Sequence, residues 1–445
     1  MSSKATPLGA DSFVAEVIDN GQVSGQQLLV IGLCLLLNML DGFDITAMAI
    51  VARAVSDELA ITPDRLGWIF SFALAGMMAG AMFLAPVSDL IGRRKLILFA
   101  AALVGFSILL TANATTLLEF FVLRFLSGVG AGAMLASQAT LAAEYSPEKY
   151  RSLSVTAVVA GYPMGAMLTS VVAAYIMPEY GWRGMFWFGG GFTLLLGLLA
   201  WVFLPESLKF LFERRPDNAL ERINTILNKL SKNPLTAMPA VAIEGKSTQG
   251  GVLASISKLL SPQHRRVTVT LWTTFFLCFA AVYFLMSWTP ALMQESGHSE
   301  AVGRNAFFLL NLGGVIGSFL LGFLSTRWKL TNLIFIGLFA SAVGMVIFAM
   351  APNRVSLLLT IIFFVGLLQQ GGFTGLYAAV AKAYPTEVRS TGIGWAIGLG
   401  RSGAVAGPAI AGYLIAGGLD MSANFYLFAI PMALGGLIAY RLHIR

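Results

Sequence analysis

Apolar runs of about 20 residues recur along nearly the whole chain of 445 residues. At 1.5 Å per residue, a helix of that length crosses the ~30 Å hydrocarbon core of a bilayer. Inside lipid every backbone N–H and C=O must be satisfied within the protein, so runs of this kind pack together as transmembrane helices. Twelve are expected: 28–50, 66–87, 96–113, 117–140, 152–177 and 183–204, then 267–292, 301–325, 331–349, 354–379, 387–415 and 422–440. The expected fold class is an all-α polytopic membrane protein with 12 transmembrane helices in two six-helix bundles. Charged residues make up 11% of the chain, against about 25% in soluble proteins. Its 47 glycines suit closely crossing membrane helices.

The polar stretch 205–266 separates the two sets of six. The expected organisation is an N-terminal tail (1–27), a first bundle (28–204), a central loop (205–266), a second bundle (267–440) and a short tail (441–445). The first 27 residues are polar and mildly acidic, without a cleavable signal pattern. Within the central loop, Leu220, Ile223, Ile226, Leu227 and Leu230 are spaced as in a short amphipathic helix over 217–231. That helix is expected along the membrane face. The stretch 233–251 is small and polar, and is expected to be flexible.

An even number of spans puts both termini on one side, and the distribution of Lys and Arg identifies it as the cytoplasm. The termini, the central loop and the loops on their side hold 22 of the 29 Lys and Arg residues. The opposite side holds five: Arg53, Arg65, Arg183, Arg304 and Arg354. Without the ten in the central loop the ratio is still 12 to five. The formal charge of +7 is thus spread over membrane loops rather than gathered on a domain that would bind nucleic acid.

Two cysteines, Cys34 and Cys278, lie in apolar runs and give neither a disulfide framework nor metal spacing. The three histidines are not clustered with other ligands, so no metal site is expected. The glycine-rich stretches follow no soluble strand and lack the Lys-Ser/Thr of a phosphate loop. No cofactor and no enzymatic activity are expected. An ion gradient, with H+ as the coupling ion, is the economical source of energy.

Charges inside the spans are the main clue to what crosses. Asp41-Gly42-Phe43-Asp44 places two carboxylates on one face of the first helix. Residues of this kind line water-filled paths, pair with cations or carry protons. Asp44 falls roughly 9 Å from the outer end of its span, and Arg124 in span four roughly 10 Å from its own. The matching depths predict an ion pair. Arg401 lies near the middle of span eleven, in the other half. The expected roles are proton coupling for Asp41 and Asp44 and attraction of a carboxylate by Arg401 and Arg124, since a guanidinium fork binds both carboxylate oxygens. The alternative is a set of structural ion pairs.

Weaker candidates for substrate contact are Asn38, Gln138, Asn311, Gln369 and Gln370 as polar groups, and Tyr283, Trp288 and Tyr377 as aromatic ones. Most of the 32 phenylalanines are expected to face lipid or pack helices. The loops carry a third group. Asp89-Leu90-Ile91-Gly92-Arg93-Arg94-Lys95 joins spans two and three, and 322–329 echoes it weakly in the second half. Glu144 and Arg151 after span four are echoed by Glu387 and Arg389 after span ten. Asp89, Arg93, Arg94, Glu144, Arg151, Glu387 and Arg389 are expected to latch the cytoplasmic face. For the basic run the alternative is topology alone.

With these features the whole chain resembles the major facilitator superfamily, and within it the bacterial aromatic acid:proton symporters. Asp41–Asp44, Arg124-Phe125-Leu126-Ser127-Gly128 and Arg401-Ser402-Gly403-Ala404 before Gly407-Pro408 carry the likeness. The resemblance implies import of a benzoate-like, hydroxybenzoate-like or related organic acid with a proton, across a bacterial inner membrane. It implies that Asp41, Asp44, Arg124, Glu144 and Arg401 match residues important for transport. The loop departs from the family pattern at Ala85 and Leu90, and Thr326 replaces the acid of its second copy. Partners are therefore expected to be a small organic anion, a proton and lipid, with the chain acting as a monomer. A proton-coupled exporter of drugs or metabolites shares the fold but needs no fixed cavity arginine, and a nontransporting sensor would be expected to carry a signalling domain.

Overall fold

The computed structural model describes residues 18, 23–230, 232–238, 257–384 and 386–442. Among them, the helices of crossing length are α1 (Gly25–Leu59), α2 (Pro63–Ile91), α3 (Arg93–Thr111), α4 (Leu117–Glu144), α7 (Arg265–Glu295), α8 (Glu300–Leu324), α9 (Leu330–Met350), α10 (Val355–Ala383), α11 (Thr386–Ala416) and α12 (Met421–Tyr440). Glu148–Phe203 is a continuous helical stretch that turns at Gly181, where φ is 60°. An L side chain rarely adopts that conformation. The turn divides the stretch into α5 (148–180) and α6 (182–203), which completes the expected twelve.

Helix ends extend past the apolar runs wherever the sequence supplies a cap. α1 begins early because Ser24 and Gln27 form a reciprocal capping box. α4 begins on the same device, built from Thr116 and Glu119. Near its end α2 loosens into a π turn at Gly80–Leu84 and a 3-10 turn at Ala85–Val87, where Pro86 has no N–H to give. Large apolar side chains such as Phe83, Phe99, Phe106, Phe319 and Leu195 point outward, as a lipid-facing surface requires.

The two bundles repeat one packing scheme. In the first, α1 packs on α5, α2 on α4, and α3 on α4 and α6. In the second, α7 packs on α11, α8 on α10, and α9 on α10 and α12. Bare backbone approaches set these crossings. A methyl group on Gly42 would overlap the Tyr162 carbonyl, and one on Gly165 would overlap that of Met39. Small residues that let backbones meet are the usual currency of membrane helix packing.

The halves meet chiefly where α2 crosses α11. At the end away from the central loop this crossing is tight. Gly67 and Gly412 face each other, and a Cβ on either would lie 2.6 Å from Pro408 O or Pro63 O. Ser71 Oγ donates to Val405 O at 2.6 Å, and Trp68 Nε1 donates to Tyr413 OH at 2.9 Å. Toward the loop end the helices part: a Cβ on Gly398 would meet only Met82 Sδ, at 3.9 Å, and one on Gly394 would meet nothing within 4 Å.

The expected amphipathic helix is present as Ala219–Lys229. Its buried face of Ile223, Ile226 and Leu227 belongs to an apolar cluster with Tyr145, Leu208 and Phe212. It therefore packs on the first bundle rather than only on a membrane surface. Asn224 clasps Leu235 through both the N–H and the C=O of that residue. Most of the stretch expected to be flexible lies outside the described residues.

Candidate functional site

The α1–α5 contact fixes where the two aspartates point. Thr46 Oγ1 donates to Gly42 O at 2.7 Å, Thr169 Oγ1 donates to Gly165 O at 2.9 Å, and the two hydroxyls meet at 2.8 Å. One turn earlier Asn38 Nδ2 donates to Val158 O at 2.6 Å. Asn38 is thus spent on joining α1 to α5.

From this face Asp44 reaches α4. Its Oδ1 accepts from Arg124 Nη2 at 2.6 Å, and its carbonyl accepts from Arg124 Nη1 at 3.2 Å. The guanidinium also lies 5.2 Å from the centroid of Phe186. Both charges are inaccessible, with Asp44 1% and Arg124 0% exposed. The structure therefore forms the ion pair that the matching depths predict, and it commits Arg124 to Asp44 inside the first bundle.

Asp41 is treated differently. It is 2% exposed, and among the described residues neither of its oxygens has a hydrogen-bond partner. Across the interface, Arg401 on α11 is half-buried, and no described carboxylate pairs with it. Tyr162 of α5 lies within electrostatic reach of Asp41, Arg401 and Tyr283. Tyr377 of α10 lies within reach of Arg401 and Tyr283. Sequence reasoning thus named four of this central group, Asp41, Tyr283, Tyr377 and Arg401, and missed Tyr162. The only sequence signal for Tyr162 was its position in Gly161-Tyr162-Pro163, inside a span.

The second bundle gathers a cluster of aromatic rings on α7 and α10, the helices beside α11. Phe279 stacks on Tyr283 at 6.0 Å, Phe279 and Phe373 meet edge to face at 4.8 Å, and Tyr377 lies 5.5 Å from both Phe275 and Phe373. A Cβ on Gly400, next to Arg401, would lie 2.5 Å from Phe275 Cβ and 3.0 Å from Phe279 Cδ2. A half-buried cation in the bundle that holds this ring cluster, within electrostatic reach of Tyr377, suits a flat, apolar ligand that carries one carboxylate.

The other candidates are distributed around this centre. Trp288 is fully buried, donates to Pro408 O at 3.0 Å and meets Phe70 edge to face at 5.4 Å. It forms the floor of a cleft of about 400 Å³ at the end away from the central loop, lined also by Arg53, Thr62, Leu66 and Glu295. Asn311 Nδ2 donates to Phe307 O in its own helix. Gln370 packs against Gly314. Gln138 is buried with both amide atoms unpartnered among the described residues, and Gln369 with its carbonyl unpartnered.

The loop residues assemble on the first bundle. Arg93 pairs with Asp89 at 2.8 Å and approaches Glu144 at 3.7 Å. Gly92 has φ 105°, and a Cβ there would collide with the Glu206 carboxylate; glycine satisfies both constraints. Glu206 Oε1 accepts from Arg94 N at 3.1 Å and from Ser207 N at 2.9 Å, while Tyr145 OH donates to Glu206 O at 2.7 Å. Burial pushes the Tyr145 phenol well up, and Glu206 and Glu144 add to that rise. Arg214 Nε donates to Asp89 O at 3.1 Å. The partners in these contacts belong to the first bundle or to the segment that leaves it, with Glu206 at the centre, a residue the loop motif alone did not reveal. Arg151 lies near the start of α5. Glu387 and Arg389 lie on α11, and their side chains are outside the described residues.

A twelve-helix membrane protein of two similar bundles, with a buried carboxyl in one and a half-buried cation in the other, is organised as a transporter. The sequence matches the Major Facilitator Superfamily over residues 33–353 and 271–444, and the chain belongs to that family. It is a transporter rather than an enzyme. The chain is similar to a gallate transporter of Pseudomonas putida, with 32% identity over 96% of this chain and 94% of that one. It is also similar to a 4-hydroxybenzoate transporter of Acinetobacter baylyi (30% identity, 95% and 93% covered) and to a benzoate transport protein of the same species (31%, 97% and 93%). Among solved structures, a D-xylose-proton symporter matches with a TM-score of 0.73 at 17% identity over 93% of this chain and 97% of that chain, which bears on the fold alone.

Proposed function

We propose that this protein imports an aromatic carboxylate together with a proton by alternating access, as a monomer in a bacterial inner membrane with both termini in the cytoplasm. The observation that carries the reading is Arg401, a half-buried cation without a described carboxylate partner, in the bundle that holds the ring cluster of Phe275, Phe279, Tyr283, Phe373 and Tyr377. The substrate carboxylate takes both donors of the guanidinium fork, and the rings hold the aromatic body. Names of relatives that act on gallate, 4-hydroxybenzoate and benzoate support this chemistry.

Asp41 is the proton site in this reading. A buried carboxylate without a cation partner is costly, and a proton removes that cost. Asp44, held by Arg124, adds a fixed charge beside it. With the central loop in the cytoplasm, the tight α2–α11 crossing closes the outer face and the parted ends open inward. The Asp89–Arg93–Glu144 cluster, with Arg94 and Arg151, holds the first bundle rigid as it rocks, and Glu387 and Arg389 serve the second.

The test is uptake of labelled 4-hydroxybenzoate, gallate and benzoate by proteoliposomes under an inward proton gradient, with and without protonophore. Protonophore-sensitive accumulation is expected, and Asp41→Asn is expected to abolish it. Accumulation that ignores the gradient would overturn the symport reading.

A further inference from the structure

The surface of α6 stays apolar to its last turn. Trp201 is 61% exposed, Val202 55% and Phe203 44%. Apolar side chains of this size at the end of a crossing helix belong against lipid, and a tryptophan there sits at headgroup level. Directly beyond lies a cleft of about 200 Å³, between the end of α6, the start of α3 and the helix Ala219–Lys229. Val202 and Phe203 form part of its wall, so the cleft is continuous with the lipid-facing surface.

Three cations line this cleft: Arg94, Arg222 and Lys229. The helical repeat brings the last two together. Ile223, Ile226 and Leu227 turn into the bundle, and Arg222, Thr225 and Lys229 form the adjoining stripe along the same helix. Among the described residues no carboxylate pairs with Arg222 or Lys229. Arg94 Nη2 donates to Trp201 O, and its buried Nε has no partner among the described residues. One acid, Glu206, also lines the cleft, and its Oε1 is already engaged by the N–H groups of Arg94 and Ser207. Three cations against one carboxylate leave the described lining with a net charge of +2.

We propose that this cleft binds the phosphate of an anionic phospholipid from the adjoining leaflet. Two guanidinium groups and an ammonium are the donors that phosphate oxygens take. The volume falls below the roughly 300–1,000 Å³ of pockets that enclose whole organic ligands. It suits a headgroup whose acyl chains stay outside, along Val202 and Phe203. A free phosphate offers the same oxygens but has no use for that apolar wall. Basic pockets beside crossing helices are a known setting for headgroup recognition. A phosphate held here joins Arg94 of α3 to the helix Ala219–Lys229, so an anionic leaflet fastens the central segment to the first bundle. The site lies apart from Arg401 and Asp41, and it depends neither on the substrate nor on proton coupling.

The test uses the full-length protein, delipidated in a neutral detergent and titrated with dioleoyl phosphatidylglycerol in native mass spectrometry. The comparison ligands are inorganic phosphate and dioleoyl phosphatidylcholine, whose own ammonium offsets its phosphate. Phosphatidylglycerol is expected to bind more tightly than phosphatidylcholine and to resist displacement by inorganic phosphate. Lys229→Gln is expected to weaken phosphatidylglycerol about fivefold, and Arg222→Gln with Lys229→Gln roughly thirtyfold. Arg327→Gln with Lys329→Gln removes two exposed charges at the same membrane face of the second bundle, and is expected to leave the affinity unchanged. Equal weakening by the two double variants would overturn the proposal, since it would reflect attraction to a basic face rather than a site. Native affinity in Lys229→Gln and in its double variant would overturn it as well. Displacement by inorganic phosphate at equal concentration would overturn the lipid assignment and leave a free-anion site. If the double variant does not elute as folded protein, Lys229→Gln decides alone, because its side chain is exposed.

Discussion

Neutralising one member of the Asp44–Arg124 pair leaves the other as an uncompensated charge deep in the first bundle. The pair meets at 2.6 Å with both side chains essentially inaccessible. Arg124 also donates to the Asp44 carbonyl and lies over Phe186, so its head group has no route to water without displacing three contacts. Removing one partner of such a pair costs about 3–5 kcal/mol, whereas replacing both with neutral groups of similar size is often close to neutral. Asp44→Asn and Arg124→Gln are each expected to lower unfolding free energy by about 3–5 kcal/mol. The double variant is expected to fall short of the sum of the singles by about 2 kcal/mol or more. Equilibrium unfolding of the four proteins in mixed micelles measures the cycle. Additivity within about 0.5 kcal/mol would refute the reasoning, because the two charges would then not be acting on each other.

Arg401→Lys keeps the charge but loses the planar fork, and is expected to raise the KM for an aromatic acid by about tenfold or more; an unchanged KM would remove Arg401 from the anion site. Gly412→Val puts branched carbon where a Cβ already lies 2.6 Å from Pro63 O; it is expected to hold the outer crossing open, seen as faster thiol labelling of Ser56→Cys together with reduced uptake. The native thiols, Cys34 and Cys278, are buried and should not compete for label. Glu206→Ala strips the acceptor from the Arg94 and Ser207 amides and is expected to cost about 1–3 kcal/mol for each amide left unsatisfied, while Glu206→Gln retains an oxygen and most of the stability; equal melting of the two variants would contradict this.

Much of this architecture is written in apolar length. Spans of about 20 residues and the polar break at 205–266 define the two bundles because lipid permits little else. The Asp44–Arg124 pair was legible for a similar reason, since rise per residue turns sequence position into depth. Depth does not give rotation, however. Nothing in the sequence says that the Gly42 face of α1 meets the Tyr162 face of α5, so the phenol beside Asp41 stayed hidden among eleven tyrosines. Rotation also directs the N–H donors of Asn38 and Trp288 to the backbones of neighbouring helices, which sequence position alone does not reveal. Glu206 escaped notice because Arg94 and Tyr145, which it meets, lie 112 and 61 positions earlier in the chain, and only folding brings them together.

At the end away from the central loop, the described contacts in the α2–α11 crossing are between glycines, proline carbonyls, the Asp64 backbone and the neutral side chains of Ser71, Trp68 and Tyr413. Its cohesion therefore rests on packing and on neutral hydrogen bonds, which salt screens little. A seal of this kind keeps its strength as the ionic strength of the medium changes. In the proposed reading, the response to acidity is left to Asp41 in the interior, apart from this crossing.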